Sequence, residues 1–171
     1  MTVVVQMHGE PGSGKSTLAR ALAPRIGVVV LDKDIIKSAL LHSGIAEHAA
    51  GPTAYEVYFN LAASLLGQGQ AVILDNPVYW VDVERRWQQL ACAAGSPLLL
   101  IHCVCPDRSE LERRLVSRNG MASQPRTPLV LSDHPDAVEA RHYPRLVLDT
   151  SRPLDELVEE ATAYVHMGAL A

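Results

Sequence analysis

Residues 9–16 read Gly-Glu-Pro-Gly-Ser-Gly-Lys-Ser, so that four residues separate a glycine from the triplet Gly-Lys-Ser. Glycines allow the positive φ angles that turn successive backbone N–H groups toward one anion. A lysine at this spacing reaches the outer phosphates of a nucleotide, and the serine hydroxyl is a magnesium ligand. We therefore predict that this segment binds ATP and Mg²⁺. The predicted nucleotide contacts are Gly9, Glu10, Pro11, Gly12, Ser13, Gly14, Lys15, Ser16 and Thr17, with Ser16 also a ligand of the metal.

The segments on either side of this loop favour the same interpretation. Residues 3–5 are three valines, as expected of a buried strand, and residues 17–23 have the composition of a helix. A strand before the loop and a helix after it form the setting in which this motif binds phosphate, because the helix N-terminus adds the positive end of its dipole. The alternative, an ordinary glycine-rich turn, does not require either flank.

Two carboxylates follow the second predicted strand, where Asp32 and Asp34 flank Lys33. A carboxylate beside a phosphate site can orient an attacking hydroxyl or accept its proton. We predict this catalytic role for Asp34. Capping of the following helix is the alternative for both residues, and for Asp32 it is the favoured one.

The third predicted strand ends in a carboxylate, Asp75, after the apolar residues 72–74. A strand-end aspartate downstream of a phosphate loop commonly holds magnesium. We predict that Asp75 and Ser16 are the metal ligands. An Asp-Asn-Pro turn is the simpler alternative for this short pattern.

Arginines follow the fourth predicted strand, and Arg114 and Arg118 lie four apart on one helix face. Negative charge on a transferring phosphoryl group calls for cations, and arginine suits phosphate contacts. We predict that both are catalytic and that Arg118 also contacts the nucleotide. The alternative is a solvated face on which the arginines pair with Glu110 and Glu112.

Residues 118–135 hold three prolines and a glycine, which predicts a long loop. Because arginines occur at its start (Arg118) and within it (Arg126), we predict an arginine-containing lid over the active site. A second segment, residues 43–58, is expected to help form the pocket of the phosphoryl acceptor.

Short apolar runs alternate with amphipathic segments along the whole chain, which predicts one α/β domain over residues 1–171. Strands are expected at about 2–7, 27–31, 71–75, 97–104 and 145–149. Helices are expected at about 14–23, 33–42, 53–67, 82–94, 107–118 and 153–167. This alternation predicts a five-stranded, mainly parallel sheet with helices on both faces, in which ligands bind beyond the carboxyl ends of the strands.

Composition narrows the classes of protein to consider. The 171 residues are 48% hydrophobic and 20% charged, with a formal net charge of −4, as in a globular domain. No basic run indicates broad nucleic-acid binding, and no apolar run approaches the ~20 residues of a membrane helix. Because no segment resembles a signal peptide or a membrane helix, a cytoplasmic location is expected. Three cysteines argue against a disulfide framework, so reduced thiols are expected.

Nearly the whole chain resembles the small P-loop kinases grouped with polynucleotide 5′-kinase, chloramphenicol phosphotransferase and the zeta toxins. The resemblance lies in the phosphate loop, in Asp34 with Lys37 (Asp-x-x-Arg in the family), in Asp75, and in the segment Glu-Arg-Arg-Leu-Val-Ser-Arg at 112–118. It implies a three-layer P-loop NTPase fold and a base role for Asp34. Lysine replaces the family's arginine at position 37, which removes a bidentate contact.

These features predict an ATP-dependent phosphotransferase that moves the γ-phosphate to a hydroxyl of a small molecule of antibiotic, sugar or nucleoside type. Two alternatives stay open at this point. One is a kinase of nucleic-acid 5′-hydroxyls, which needs a basic groove. The other is a nucleotide-dependent regulatory ATPase, although the Asn-Lys-x-Asp string of guanine-nucleotide switches is absent from the sequence. The oligomeric state is not indicated.

Overall fold

The computed structural model describes residues 2–76, 81–118, 120–124 and 145–169, in which five strands alternate with six helices. The strands are β1 (Val4–His8), β2 (Val29–Asp32), β3 (Val72–Asp75), β4 (Leu98–Val104) and β5 (Arg145–Asp149). The helices are α1 (Lys15–Ile26), α2 (Lys33–His42), α3 (Glu47–Gly67), α4 (Val81–Ala93), α5 (Arg108–Ser117) and α6 (Leu154–Gly168). The strands form one sheet in the order β2-β3-β1-β4-β5, and every pairing is parallel. The predicted three-layer α/β fold is confirmed.

Side chains alternate across the sheet and build a separate apolar core on each face. On one face, Val5 and Met7 pack with the inner residues of α1 and α6, such as Leu22 and Val158. On the other face, Val4 belongs to the core formed with α3 and α4. Helices cover both faces of the sheet, and ligands of such sheets bind beyond the carboxyl ends of the strands.

Two helices are longer than the sequence predicts, and a proline lies inside each of them. Helix α1 continues through Pro24 to Ile26, where Gly27 ends it in the left-handed conformation. Helix α3 begins six residues early, at Glu47, and includes Pro52. The extension of α3 is driven by burial that the positions of glycine and proline do not show, since Ala50 and the residue one turn later are fully buried.

The start of α6 differs in detail from the expected one. Pro153 is the N-cap residue rather than part of the first turn, and no side chain caps the helix. The Ser151 hydroxyl donates to Asp149 Oδ1 (2.7 Å), and the Thr150 hydroxyl donates to the carbonyl of Val104 (3.1 Å). These bonds fold the loop after β5 back onto the end of β4.

Part of the predicted lid is described. Arg118 and residues 120–124 follow α5, whereas residues 125–135, including Arg126, lie outside the described residues. Among the residues the structure covers, no helix has both the length and the apolarity to cross a bilayer. The three cysteines are free thiols, with Cys103 buried in the sheet.

Candidate active site

One cavity of about 630 Å³ opens at the carboxyl end of the sheet. Loops after β1, β2, β3 and β5 contribute to its wall, as parallel topology requires. Five residues with a predicted catalytic or metal-binding role lie on its wall, although they come from four separate parts of the sequence. They are Lys15, Asp34, Asp75, Arg114 and Arg118. Of the predicted loop contacts, the wall includes Pro11, Gly12, Gly14, Lys15, Ser16 and Thr17.

The loop after β1 has, at three positions, backbone angles that favour glycine. Gly9, Gly12 and Gly14 have φ angles of 137°, 85° and 86°. A Cβ atom on Gly9 would also collide with the backbone carbonyl oxygen of Cys103, so the loop lies directly on β4. Gly14 is the N-cap of α1, and no side chain caps that helix end. The first backbone amides of α1 are therefore presented at a site suited to phosphate.

Lys15 lies across this loop. Its ammonium donates hydrogen bonds to the carbonyls of Gly9 (2.7 Å) and Glu10 (2.9 Å). Burial lowers the pKa of Lys15, and the nearby carboxylates of Asp75 and Asp34 oppose that effect. The Glu10 carboxylate turns outward and pairs with Arg108 of α5 (2.8 Å), so Glu10 faces the site through its backbone.

Asp75 ends β3 beside the start of α1 and is only 4% exposed. Burial raises the pKa of Asp75 to about 6, while a hydrogen bond from Ser16 opposes the rise. Its Oδ2 atom is buried and has no hydrogen-bond partner among the described residues. An unpaired buried carboxylate oxygen next to a serine hydroxyl suits a hard cation, so the residues present fit Mg²⁺.

Asp32 and Asp34 have different surroundings although they lie two residues apart. Asp32 caps α2 by accepting a hydrogen bond from the Asp34 N–H (2.9 Å), and its carboxylate pairs with Arg20 (3.0 Å). Burial raises the pKa of Asp32. The Asp34 carboxylate instead pairs with Lys33 (2.7 Å). Lys33 and Asp34 both lie on the cavity wall. Asp32 therefore caps α2, which is the role that the sequence favours for it.

The segment after α5 reaches across the cavity to α2. The Ser123 hydroxyl donates to the carbonyl of Asp34 (3.0 Å), and the Ser38 hydroxyl donates to Ser123 Oγ (2.9 Å). Met121, Ser123 and Gln124 form part of the wall. The described start of the predicted lid is therefore fixed to the helix that carries Asp34.

The two predicted catalytic arginines lie on the cavity wall at the end of α5. Arg114 donates to Glu110 (2.7 Å), as the alternative of a solvated, paired helix face predicts. It also donates to the hydroxyl and to the carbonyl of Thr150 (both 3.0 Å). Glu112 lies near Arg108 instead (3.9 Å). Arg118 is the C-cap residue of α5. The contacts with Thr150 fix the Arg114 guanidinium against the loop after β5.

Several wall residues were not singled out from the sequence. Asn76 follows Asp75 and accepts a hydrogen bond from the buried Tyr58 hydroxyl (2.7 Å). Thr150 and Arg152 follow β5, and Lys33 follows β2. Their position could have identified them, because each lies within three residues of the end of a parallel strand.

The segment expected to form the acceptor pocket lies elsewhere. Residues 43–58 form the turn after α2 and the first half of α3, and none of them is among the described residues of the cavity wall. Lys37 is likewise outside that wall and pairs with Glu47 (2.5 Å). The start of α2 and the segment around Ser123 do contribute to that wall.

A family model described as an AAA domain (AAA_33) matches residues 4–132 of this chain. Uncharacterized proteins of Mycobacterium bovis and of Mycobacterium tuberculosis strain H37Rv are each 31% identical to it over 125 residues. The match covers 66% of this chain and 25% of each relative, so the chain spans about a quarter of the length of the curated relatives it matches.

Solved structures of several kinases share the fold. A protein from Chloroflexus aurantiacus described as a candidate kinase superposes with a TM-score of 0.73 at 24% identity, covering 96% of this chain and 99% of that one. A sugar kinase from Janibacter sp. gives a TM-score of 0.69 at 19% identity, covering 99% and 98% of the two chains. The APS kinase CysC of Mycobacterium tuberculosis, in complex with AMPPNP and APS, gives 0.67 at 19% identity, covering 96% and 98%. At these identities the likeness establishes the fold. The resemblance to polynucleotide 5′-kinase, chloramphenicol phosphotransferase and the zeta toxins stays a prediction at the level of those named groups.

Proposed function

The chain belongs to the family described as an AAA domain (AAA_33), and within it we propose that this protein is an ATP-dependent phosphotransferase. It transfers the γ-phosphate of ATP to a hydroxyl of a small molecule. The observation that carries the proposal is the presence of the Asp34 carboxylate on the wall of the same cavity as Lys15 and Asp75. A nucleotide site alone does not need a carboxylate on its acceptor side.

The nucleotide side is formed by the loop of residues 9–17 and the uncapped start of α1. Lys15 supplies a cation for the β- and γ-phosphates. Ser16 and Asp75 would hold Mg²⁺, which when bound neutralises charge on the phosphates. Arg114 and Arg118 add positive charge from α5, at the side where the described lid segment begins.

The reaction assigns a separate role to each group. The acceptor hydroxyl forms a bond to the γ-phosphorus, the bond to the β–γ bridging oxygen breaks, and its electron pair leaves with ADP. Asp34 accepts the hydroxyl proton and passes it to water. The arginines and Lys15 stabilise the charge that spreads over the transferring group.

Small molecules of antibiotic, sugar or nucleoside type are the proposed acceptors. The sugar kinase and the APS kinase that share this fold are named for small substrates, which supports that class. Nucleic-acid 5′-ends are less well supported. The net charge is −4, and four of the cations on the wall already pair with carboxylates, namely Arg20, Lys33, Arg114 and Arg152. A regulatory ATPase gives no role to Asp34.

The test is acceptor-dependent ADP release. The purified chain is incubated with ATP and Mg²⁺ and a panel of sugars, nucleosides, aminoglycosides and a 5′-hydroxyl oligonucleotide, and phosphorylated products are identified by mass spectrometry. We expect a small alcohol to raise ADP release above the rate without acceptor. The Lys15→Ala variant should lose that activity while keeping the thermal stability of the wild-type chain. ADP release that no acceptor stimulates would contradict the proposal.

A further inference from the structure

Lys33 is a nearly buried cation that the phosphotransfer described above does not use. It is the first residue of α2, its side chain is 10% exposed, and it lies on the cavity wall. Its ammonium is 2.7 Å from Asp34 Oδ1 and 5.5 Å from the centre of the Tyr55 ring. Burying a lysine is costly unless it is paired, and replacing such a pair by apolar side chains is often neutral or stabilising. Stability alone therefore gives no reason for an ion pair at this place.

From this juxtaposition we infer that Lys33 and Asp34 together recognise a vicinal diol, so that the acceptor is a polyol or sugar with adjacent hydroxyls. This inference rests on the proposed function. Asp34 receives the attacking hydroxyl, and Lys33 donates a hydrogen bond to the oxygen of the neighbouring hydroxyl. The chemistry of transfer is unchanged, with the proton going to Asp34 and the electron pair leaving with ADP.

The spacing of the two groups matches that ligand. The two oxygens of a gauche vicinal diol lie about one hydrogen-bond length apart, ~2.8 Å. The Lys33 ammonium and the Asp34 carboxylate present a donor and an acceptor separated by 2.7 Å. An ammonium has three N–H groups and a carboxylate has two oxygens, so each can bind one hydroxyl without giving up the ion pair.

The charge of the pair selects against two other classes of acceptor. A 2-hydroxy acid would place its carboxylate against Lys33 and close to the like charge of Asp34, which is unfavourable. A simple alcohol would exclude water from the cavity and offer Lys33 no second oxygen. A neutral diol avoids both costs, because the pair itself carries no net charge.

The segment around Ser123 lies next to the ion pair, because the Ser123 hydroxyl donates to the carbonyl of Asp34. Ile35, Met121 and Gln124 line the cavity together with Lys33 and Asp34. The wall next to the ion pair thus combines apolar side chains with an amide, which suits the carbon skeleton and the remaining hydroxyls of a polyol.

The test compares vicinal polyols with partners that lack the neighbouring hydroxyl, which are inositol with cyclohexanol and glycerol with propanol. Lactate represents the 2-hydroxy acids, and ADP release with ATP and Mg²⁺ is the readout. At least one polyol should be phosphorylated with a kcat/KM about 10- to 100-fold above that of its partner, which is the loss expected for one hydrogen bond to a charged group.

Variants separate recognition from folding. In Lys33→Met the preference for the polyol should disappear, while ATP affinity and thermal stability are retained. Arg113→Met, which removes an exposed ion pair with Glu110 outside the cavity, should keep the preference. If Lys33→Met does not fold, the ratios of kcat/KM between each polyol and its partner, measured on the wild-type chain, still test the diol assignment.

The two proposals fail differently. If propanol, cyclohexanol or lactate is phosphorylated as well as the polyols, or if Lys33→Met keeps the preference, the diol assignment is wrong and the phosphotransferase proposal stands. If no compound of any class stimulates ADP release, the proposed function fails, and the diol assignment fails with it.

Discussion

The Ser123 hydroxyl donates a hydrogen bond of 3.0 Å to the backbone carbonyl of Asp34, across 89 positions of sequence. Ser38, one turn further along α2, donates to Ser123 Oγ and accepts from the Ser123 N–H (3.2 Å). The chain that leaves α5 at Arg118 is thereby tied to the helix that carries the candidate base.

Removing this tie should impair catalysis more than nucleotide binding. Ser123→Ala loses a hydrogen bond of about 1 kcal/mol, so we expect a severalfold lower kcat with little change in ATP affinity. Steady-state kinetics and ATP titrations separate the two effects. Ser43→Ala is the matched control, because Ser43 lies at the end of the same helix and bonds only within it, to the carbonyl of Ala39. Equal kinetics for the two variants would show that the tie has no role.

Asp75 should act through the metal. Asp75→Asn keeps the shape of the side chain but removes the charge next to Ser16, so it should weaken ATP binding in the presence of Mg²⁺ more than in EDTA. Isothermal titration under both conditions measures the difference. Asp82→Asn, an exposed aspartate on α4, controls for the loss of one charge. Equal losses with and without the metal would assign Asp75 to the structure of the turn after β3.

His8 should make the protein sensitive to acid. Burial, with the nearby His102, Lys15 and Arg145, lowers the pKa of His8 from 6.5 to about 3. In the unfolded chain His8 takes up a proton as the pH falls below 6.5, whereas the folded chain resists protonation until about pH 3. The stability due to the neutral imidazole is therefore complete above pH 6.5 and is lost as the pH falls toward 3.

The measurement is urea unfolding at about pH 7.5 and about pH 5.5, one unit on either side of the usual histidine pKa. His8→Asn cannot take up this proton, so its loss of unfolding free energy between the two pH values should be smaller than that of the wild type by about 1 kcal/mol. His48→Asn, on the exposed surface of α3, is the control. An unchanged pH dependence in His8→Asn would mean that His8 is protonated in the folded chain.

Much of the fold follows from local sequence. The valines before Gly9 and the Gly-Lys-Ser triplet predict a strand, a phosphate loop and a helix, because each depends on local backbone preferences and on hydrophobic periodicity. The start of α3 at Glu47 was missed, since Gly51 and Pro52 suggest a break that the burial of Ala50 overrides. Tertiary packing decided that boundary.

The content of the site was only partly predictable. Position after a parallel strand identified Asp34 and Asp75, but the same sequence allowed Asp32 and Asp34 to exchange roles. Their difference arises from their ion-pair partners, which are Arg20 of α1 for Asp32 and the adjacent Lys33 for Asp34, and sequence alone does not assign those pairs. The composition of residues 43–58 also suggested that they form the acceptor pocket, whereas the described cavity wall contains Ser123 and none of those residues.

The most direct test of the account is the effect of Asp34→Asn on turnover of an acceptor found in the screen. Asparagine keeps the size of the side chain and cannot take the hydroxyl proton. We predict that kcat falls by about 100-fold or more, the range for loss of a general base, while ATP affinity changes little. Asp32→Asn, which still caps α2, should cost less. Normal turnover by Asp34→Asn would contradict the account, and a large loss in Asp32→Asn alone would transfer the catalytic role to Asp32.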